Sequence, residues 1–305
     1  RRPAGCTRGS CREAGSPPPR GGGGRLAPNI LDHVAASASA ESTPVELAAR
    51  LYHANRRPIS PRWRSRLPDS QAIAHWQGVD APYPDGVEQY RSGPWTAWDA
   101  DRSLPDDSVP IWKLYLSPIP AHTTDCCAAL LATLANSDGP FSIKVGHDLA
   151  GVLRPDRLVA YFGSRNQLEG TAKVLRQQLR GIPVQGVPFS AAIDRTGLLS
   201  WGVDLPAAEG LPQLRNERSW RGWVVVRLGA ALAIALGSRA ADPVACSLDR
   251  LSLDGVDTSG RRPNESLLAS AVKRTGTDAN HLPAGPSDRC QHHPDCTTRR
   301  GDQAA

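Results

Sequence analysis

Lys113 and Lys144 are the side chains of this sequence best suited to acid–base chemistry. Only four of its 36 basic residues are lysines, and these two lie in short strand-like runs, IWKLYLS and FSIKVG. Because a desolvated lysine can lose its proton, which arginine does not, a lysine in such a run can serve as a general base. Lys173 and Lys273 lie in a helix-like stretch and a polar tail. A coding bias toward arginine explains the same counts equally well, so the neighbouring residues must decide.

Period-two alternation places both lysines on polar strand faces. Lys113 shares its side with Tyr115 and Ser117, and Lys144 shares its side with Ser142, while the residues between them are mostly apolar. A later strand contributes Ser200, Gly202 and Asp204 to its own polar side. If these strands are neighbours, the two lysines meet on a common polar face. The alternative is a solvated sheet face without chemistry.

The order of predicted elements indicates an α+β fold with a mainly antiparallel sheet and helices packed on one face. Thr43 and Pro44 are typical of a helix start. The predicted strands are 111–117, 141–146, 157–163, 187–193 and 198–204, and the later predicted helices are 123–135, 167–179 and 219–236. Residues 58–110 give no clear period, and we expect one helix there, near 69–77.

Composition divides the chain into one domain and two polar ends. Residues 1–28 are rich in arginine, glycine and proline, and residues 251–305 have almost no periodic apolar signal, so both are predicted to be disordered. The intervening residues 29–250 can bury one sizeable core.

Charge and apolar patterning argue against nucleic-acid and membrane partners. The formal net charge is +6, but the arginines are scattered and many lie in the two ends. The longest apolar stretch, 223–236, is short for a bilayer span and contains Arg227, so we expect a core helix.

The cysteines indicate neither a disulfide framework nor a metal site. Seven cysteines without framework spacing favour a reducing, cytoplasmic compartment. The run CQHHPDC has side chains that suit zinc, but it is short, isolated and near a polar end, so no metal site is predicted. Its potential ligands are Cys290, His292, His293 and Cys296.

Three longer runs together resemble the HopA-type effector domain. They are FSIKVGHDLAGVLRPDRLVAYF, QGVPFSAAIDRTGLLSWGVDLP and RSWRGWVVVRLGAALAIAL, within residues 110–238. The specificity lies in the combination of KVG, LRPDRLVAYF, GVPF and LLSWG. That domain is known from plant-pathogen type III effectors and from actinobacterial lyases of class V lanthipeptide and thioamitide biosynthesis. The resemblance implies a cofactor-free lyase that eliminates phosphate from phosphoserine or phosphothreonine of a precursor peptide, together with a separate kinase.

In such a reaction Lys144 would be the base and Lys113 would hold the carbonyl oxygen that takes up negative charge. The related phosphothreonine lyase effectors carry a KxH strand, whereas this chain has Tyr115 at the histidine position. Proton delivery to the leaving phosphate therefore falls to Tyr115, His147 or water.

Arginine holds phosphate better than lysine because its guanidinium forms a fork of donors. The candidates are Arg154, Arg157, Arg165 and Arg221. Each has a structural alternative: Arg154 and Arg157 could pair with Asp148 or Asp156, and Arg221 could be a buried partner of Asp204. Arg165 precedes a helix, where an anion would be favoured.

Two other functions fit the same residues. One is a noncatalytic component that binds the peptide or the kinase. The other is a secreted type III effector that acts on host proteins.

Overall fold

The computed structural model describes residues 22–79, 87–100, 110–137, 139–204 and 219–273. Within these ranges, seven strands form one antiparallel sheet in the order β1-β2-β4-β5-β3-β7-β6. The strands are β1 Val87–Ser92, β2 Trp95–Ala100, β3 Ile111–Leu116, β4 Phe141–Gly146, β5 Leu158–Phe162, β6 Ala191–Ala192 and β7 Leu199–Asp204. A separate small hairpin consists of β8 Val256–Asp257 and β9 Arg262–Pro263.

Ten α-helices and one 3₁₀ turn, Pro120–His122, are present in the same described ranges. The helices are α1 Gly22–Ala36, α2 Pro44–His53, α3 Pro61–Arg66, α4 Ser70–Gln77, α5 Thr123–Ala135, α6 Leu149–Val152, α7 Arg165–Gln178, α8 Trp220–Gly237, α9 Pro243–Leu253 and α10 Glu265–Lys273. The start of α2 has a full capping box, in which the Thr43 hydroxyl accepts from the Glu46 amide and the Glu46 carboxylate accepts from the Thr43 amide.

The main core lies between one face of the sheet and helices α5 and α7. Leu114 of β3, Ile143 of β4 and Ala160 of β5 are fully buried against Leu130 of α5 and Leu175 of α7. These strand residues are the apolar members of each alternation, so burying them leaves the other members on the opposite face.

A second core joins α1, α2, α8 and α9 beside β7, with Val203 as the strand's contribution. Trp220, the first residue of α8, packs so closely over Gly202 that any larger residue there would crowd its ring. Gly202 is the cross-strand neighbour of Lys113. Trp220 therefore covers the β7 side of the face that carries the lysines.

The predicted α+β fold with an antiparallel sheet and helices packed on it is confirmed. The helix predicted near 69–77 is α4, but the rest of the region 58–110 is not irregular where it is described, since it contains α3, β1 and β2. The strand predicted at 187–193 is reduced to β6, because the chain turns at Val187–Ser190, where Phe189 has a φ of 60°.

The predicted disordered ends are wrong for residues 22–28 and 251–273. Helix α1 begins at Gly22, and the stretch after residue 250 completes α9 and forms β8, β9 and α10, with Leu251 and Val256 buried. Residues 1–21 and 274–305 lie outside the described ranges.

Helix α8 is the described helix whose length and composition would allow it to cross a bilayer. In this fold, however, 56% of it is buried inside the protein, mainly against α2 and α9. It is thus the central helix of the second core.

Candidate active site on the polar face of the sheet

Lys113 and Lys144 lie on the same face of the sheet, on either side of β5. Lys113 is directly opposite Tyr161, and Lys144 is opposite Val159, two residues earlier on the same strand. The Nζ atoms lie 5.0 Å (Lys113) and 5.4 Å (Lys144) from the centroid of the Tyr161 ring. Two ammonium groups therefore converge on one aromatic ring, which attracts cations through its quadrupole.

Lys113 is buried and neutralised by a carboxylate. Its Nζ is 2.5 Å from Oδ2 of Asp204, and the residue is only 7% exposed. Burial alone would lower the pKa of Lys113, but Asp204 and the phenols of Tyr161 and Tyr115 outweigh it and raise the pKa above its usual value. The other carboxylate oxygen of Asp204 accepts from the Trp220 amide at 3.4 Å. Lys113 is thus a fixed positive charge, held at the start of α8.

Lys144 has a different environment. It is half-buried, with Ala97 of β2 opposite it on one side and Val159 on the other. No carboxylate of the described residues lies within ion-pair distance of Lys144, and the recorded partner of its ammonium is the Tyr161 ring. Of the two lysines, Lys144 is therefore the one whose nitrogen is not committed to an acid.

Tyr115 lies beside this pair, as the alternation predicts. It is buried against Val159, Val187 and Tyr161. Burial raises the pKa of its phenol well above the usual value, so the hydroxyl stays protonated at neutral pH and can donate a hydrogen bond.

His147 follows the end of β4. Its backbone amide donates to the Pro94 carbonyl, and its buried Nδ1 has no hydrogen-bond partner among the described residues. No hydrogen bond among the described residues joins its imidazole to either lysine. Tyr115 is therefore the proton-donor candidate that shares a strand face with Lys113, and His147 remains a separate candidate.

Arg154 and Arg221 share one carboxylate beside the polar face. Arg154 donates to both oxygens of Asp156 at 3.0 and 3.1 Å, and Arg221 donates to Oδ2 at 2.9 Å. Both guanidinium groups also lie against the ring of Tyr52 from α2. Burial alone would raise the pKa of Asp156, but the two arginines hold it well below its usual range. The alternative pairing of Arg154 with Asp156 is present, whereas Arg221 pairs with Asp156 rather than Asp204.

This cluster reaches the sheet because the segment after β4 folds back over it. Gly146 and Gly151 are packed backbone to backbone, with no space for a Cβ atom on Gly146. The Asp148 carboxylate caps α6 by accepting from the Gly151 amide at 2.5 Å. The Cζ atom of Arg154 then lies 5.0 Å from the ring centroid of Trp95, a β2 residue that pairs with Gly146 of β4. The glycine pair therefore brings Arg154 to the lysine side of the sheet.

Arg157 is fully buried and is bonded to the protein rather than open to a ligand. It donates to the Pro118 carbonyl at 2.5 Å and to the side-chain oxygen of Gln185. Burial lowers the pKa of Arg157 to about 9, which leaves it protonated at neutral pH. In this conformation Arg157 acts as a structural cation at the base of β5.

Arg165 is not part of this group. It is exposed, pairs with Glu169 at 2.8 Å, and lies over Trp112 and Trp201. These tryptophans alternate with Lys113 and Gly202 and hence occupy the opposite face. The expectation that Arg165 joins the lysines in a phosphate site is wrong, because its helix packs on the apolar side of the sheet.

Sequence reasoning missed Tyr161, the ring that both lysines approach, and two aromatic residues that contact Arg154, which are Tyr52 and Trp95. Alternation in the run LVAYF would have found Tyr161, since it shares its side with Val159. Tyr52 comes from a helix and Trp95 from an unrecognised strand, and no local pattern connects them.

The described residues include no group of three or more histidine, cysteine, aspartate or glutamate side chains that could hold a metal ion. The run at 290–296 lies outside the described ranges. The face can thus offer a fixed ammonium, a second amine without an acid partner, a protonated phenol and a nearby cluster with more positive than negative charge.

No family model and no curated protein sequence matches the chain. Among solved structures, it is similar to an effector protein from Pseudomonas syringae pv. tomato strain DC3000, with a TM-score of 0.48 and 14% identity over 79% of this chain and 98% of the other. An effector from Pseudomonas syringae pv. syringae strain 61 gives a TM-score of 0.39 and 12% identity over the same shares. A phosphothreonine lyase gives 0.32 and 13% over 58% of this chain and 87% of the other. Because these scores and identities are low, function has to be inferred from the side chains themselves.

Proposed function

We propose that this chain is a lyase that eliminates phosphate from phosphoserine or phosphothreonine of a ribosomal precursor peptide, and leaves a dehydroamino acid. It would act in the cytoplasm, without a cofactor, on the product of a separate kinase. The observation that carries the proposal is the pair of lysines at the Tyr161 ring, one bound to Asp204 and the other without a carboxylate among the described residues. The sequence resemblance to HopA-type effector domains supports the same reaction.

The chemistry requires one base and one electrophilic contact. Lys144, whose nitrogen has no carboxylate partner among the described residues, serves as the base that takes the Cα proton of the phosphorylated residue, and the electrons of that bond form the Cα=Cβ double bond. The Cβ–O bond breaks, and its electron pair leaves with phosphate. Lys113 stays protonated through its pairing with Asp204, so it can hold the carbonyl oxygen on which negative charge develops.

The leaving phosphate gains stabilisation from positive charge on the same side of the sheet. Among the described residues, Arg154 and Arg221 carry two positive charges against the single carboxylate of Asp156, so these three side chains together have a net positive charge. Its field favours an anion at the face without direct contact. Tyr115 is the protonated group beside Lys113 that can donate to the departing oxygen.

The direct test is to incubate the purified protein with a synthetic phosphothreonine peptide and to weigh the product. We expect the peptide to lose the mass of phosphoric acid and to gain reactivity toward added thiols, which attack dehydroamino acids. Lys144→Ala should remove this activity and keep the far-UV circular dichroism spectrum. The matched control Arg180→Ala, which removes an exposed cation just beyond α7, should retain it.

Full retention of phosphate by folded wild-type protein, across phosphoserine and phosphothreonine peptides, would reject the proposed elimination from a precursor peptide. Tight binding of the phosphopeptide without turnover would instead indicate a noncatalytic component of a modification complex. Turnover of a folded phosphoprotein but not of a peptide would favour an effector acting on host proteins.

A further inference from the structure

A cleft of about 340 Å³ lies on the opposite side of the sheet from the lysines. Trp112 of β3 and Trp201 of β7 line it, with ring centroids 5.5 Å apart and planes tilted by 37°. Ile193 and the exposed side of α7 complete the lining. Because Trp112 and Lys113 are consecutive in one strand, the cleft and the lysine face are separated by the thickness of the sheet.

The helical wall of the cleft carries three cations and one acid. Arg165, Glu169, Lys173 and Arg176 recur every three or four residues and so line one side of α7. Arg165 and Glu169 pair with each other. Lys173 and Arg176 are exposed, and no carboxylate in the described part of the chain lies within ion-pair distance of either. The wall therefore has an excess positive charge that its own residues do not neutralise.

The floor is apolar and partly open. Trp112 and Trp201 are both half-buried rather than covered, and the Arg165 guanidinium is 5.8 Å from each ring centroid. Large indole surfaces at the edge of a cleft are typical of places where an apolar side chain of a partner docks. A basic rim above them selects a partner with carboxylates.

We propose that this cleft binds an extended acidic segment that also carries a large apolar side chain, within the peptide that the lysine face modifies. The assignment of this acidic segment to the modified peptide rests on the proposed function. From Arg165 to Arg176 the helix rises about 16 Å, which matches about five residues of extended chain. The apolar side chain packs on Trp112 and Trp201, and the carboxylates pair with Lys173 and Arg176. The acidic segment and the phosphorylated residue are different parts of the peptide, because the cleft and the lysines lie on opposite faces of the sheet.

Binding tests the cleft without any chemistry. The probe is a short fluorescein-labelled peptide of alternating leucine and glutamate, titrated with full-length protein and followed by anisotropy. The double variant Lys173→Glu, Arg176→Glu should weaken binding by about tenfold or more, and added salt should weaken wild-type binding, since exposed charges are screened. Arg180→Glu, which does not line the cleft, should bind as the wild type does. Equal affinity of the double variant, or equal affinity for the same peptide with glutamine in place of glutamate, would overturn the proposal.

Turnover then separates this proposal from the proposed function. Two phosphothreonine peptides are compared, one with the acidic segment and one without it. For the peptide with the acidic segment, the double variant should have a higher KM than the wild type and the same kcat. For the peptide without the segment, both parameters should equal those of the wild type. Turnover with identical KM for both peptides and both proteins would overturn the cleft assignment and keep the lyase. If no peptide is turned over, the lyase is rejected, and the anisotropy result alone decides whether the cleft binds acidic segments.

Discussion

The two faces of the central sheet are built from alternate residues of the same strands, but one face forms the main core and the other carries the candidate active site. On one face Leu114, Ile143 and Ala160 are fully buried under α5 and α7. On the other face, the adjacent residues Lys113, Lys144 and Tyr161 bring two ammonium groups to one ring. Because the strand period is two, stability and reactivity can be carried by different side chains of one backbone. Substitutions on the two faces should therefore separate the two properties.

The polar side is also where the protein buries charge. Lys113, Arg154, Asp156 and Arg221 are all less than a tenth exposed, and each has an ionic partner. Lys144 differs from these four residues, because no carboxylate of the described residues lies within ion-pair distance of its nitrogen. A buried, paired charge holds the structure, whereas no acid among the described residues fixes the Lys144 side chain.

Asp156→Ala should cause the largest loss of stability on the polar side. It would leave Arg154 and Arg221 buried without their shared carboxylate, and breaking a buried ion pair costs about 3–5 kcal/mol. Urea unfolding followed by tryptophan fluorescence measures the change. Asp125→Ala is the control, because Asp125 is 66% exposed and should cost little. A change as small as that of the control would show that the cluster does not hold the segment after β4.

Leu114→Ala should be the clearest test of the apolar face. It removes a fully buried side chain from the main core, at a cost of about 2–5 kcal/mol in the free energy of unfolding. The specific activity of the remaining folded protein, measured well below its melting temperature, should stay close to that of the wild type. Val174→Ala, at an exposed position of α7, should change stability by about 0.5 kcal/mol or less. A loss of turnover in Leu114→Ala without a loss of stability would contradict the division between the faces.

The smallest predicted effect is a steeper loss of stability in acid. The pKa of Asp156 is held below its unfolded value of about 3.9, so below roughly pH 4 the unfolded chain binds a proton that the folded chain does not. This contribution to stability is present above that pH and decreases by up to about 1.4 kcal/mol per pH unit as the pH falls. Asp156→Asn should be less stable than the wild type at neutral pH. Below pH 4 its free energy of unfolding should change less with pH, since the other carboxylates contribute equally to both proteins. If the free energy of unfolding decreased with falling pH equally in both proteins, the low pKa of Asp156 would be refuted as the cause.

Local pattern predicted much of the polar face and much of the fold. Alternation placed Lys113 and Tyr115 on the polar side of one strand, and Lys144 and Asp204 each on the polar side of their own strands, because the strands are short and their apolar positions are regular. The start of α2 followed from Thr43 and Pro44. These features depend on residues a few positions apart, which a sequence displays directly.

What depends on long-range pairing could not be predicted. The insertion of β5 between β4 and β3 makes Tyr161 the shared neighbour of the lysines, and strand order is not encoded in any one strand. The position of Arg165 before a helix suggests an anion site, but the side of the sheet on which that helix packs is a tertiary property that no local pattern shows. Strands β1 and β2 were missed since the prolines and aspartates around them obscured their alternation.

The central claim is that Lys144 works as a base and not only as a positive charge. Lys144→Arg keeps a cationic side chain at this position but replaces the amine with a guanidinium, which does not give up its proton. We predict that single-turnover elimination from a phosphothreonine peptide is slowed by about 10²–10⁴-fold in Lys144→Arg, as in Lys144→Ala, with the fold intact. A Lys144→Arg protein that keeps most of the wild-type rate would contradict the claim.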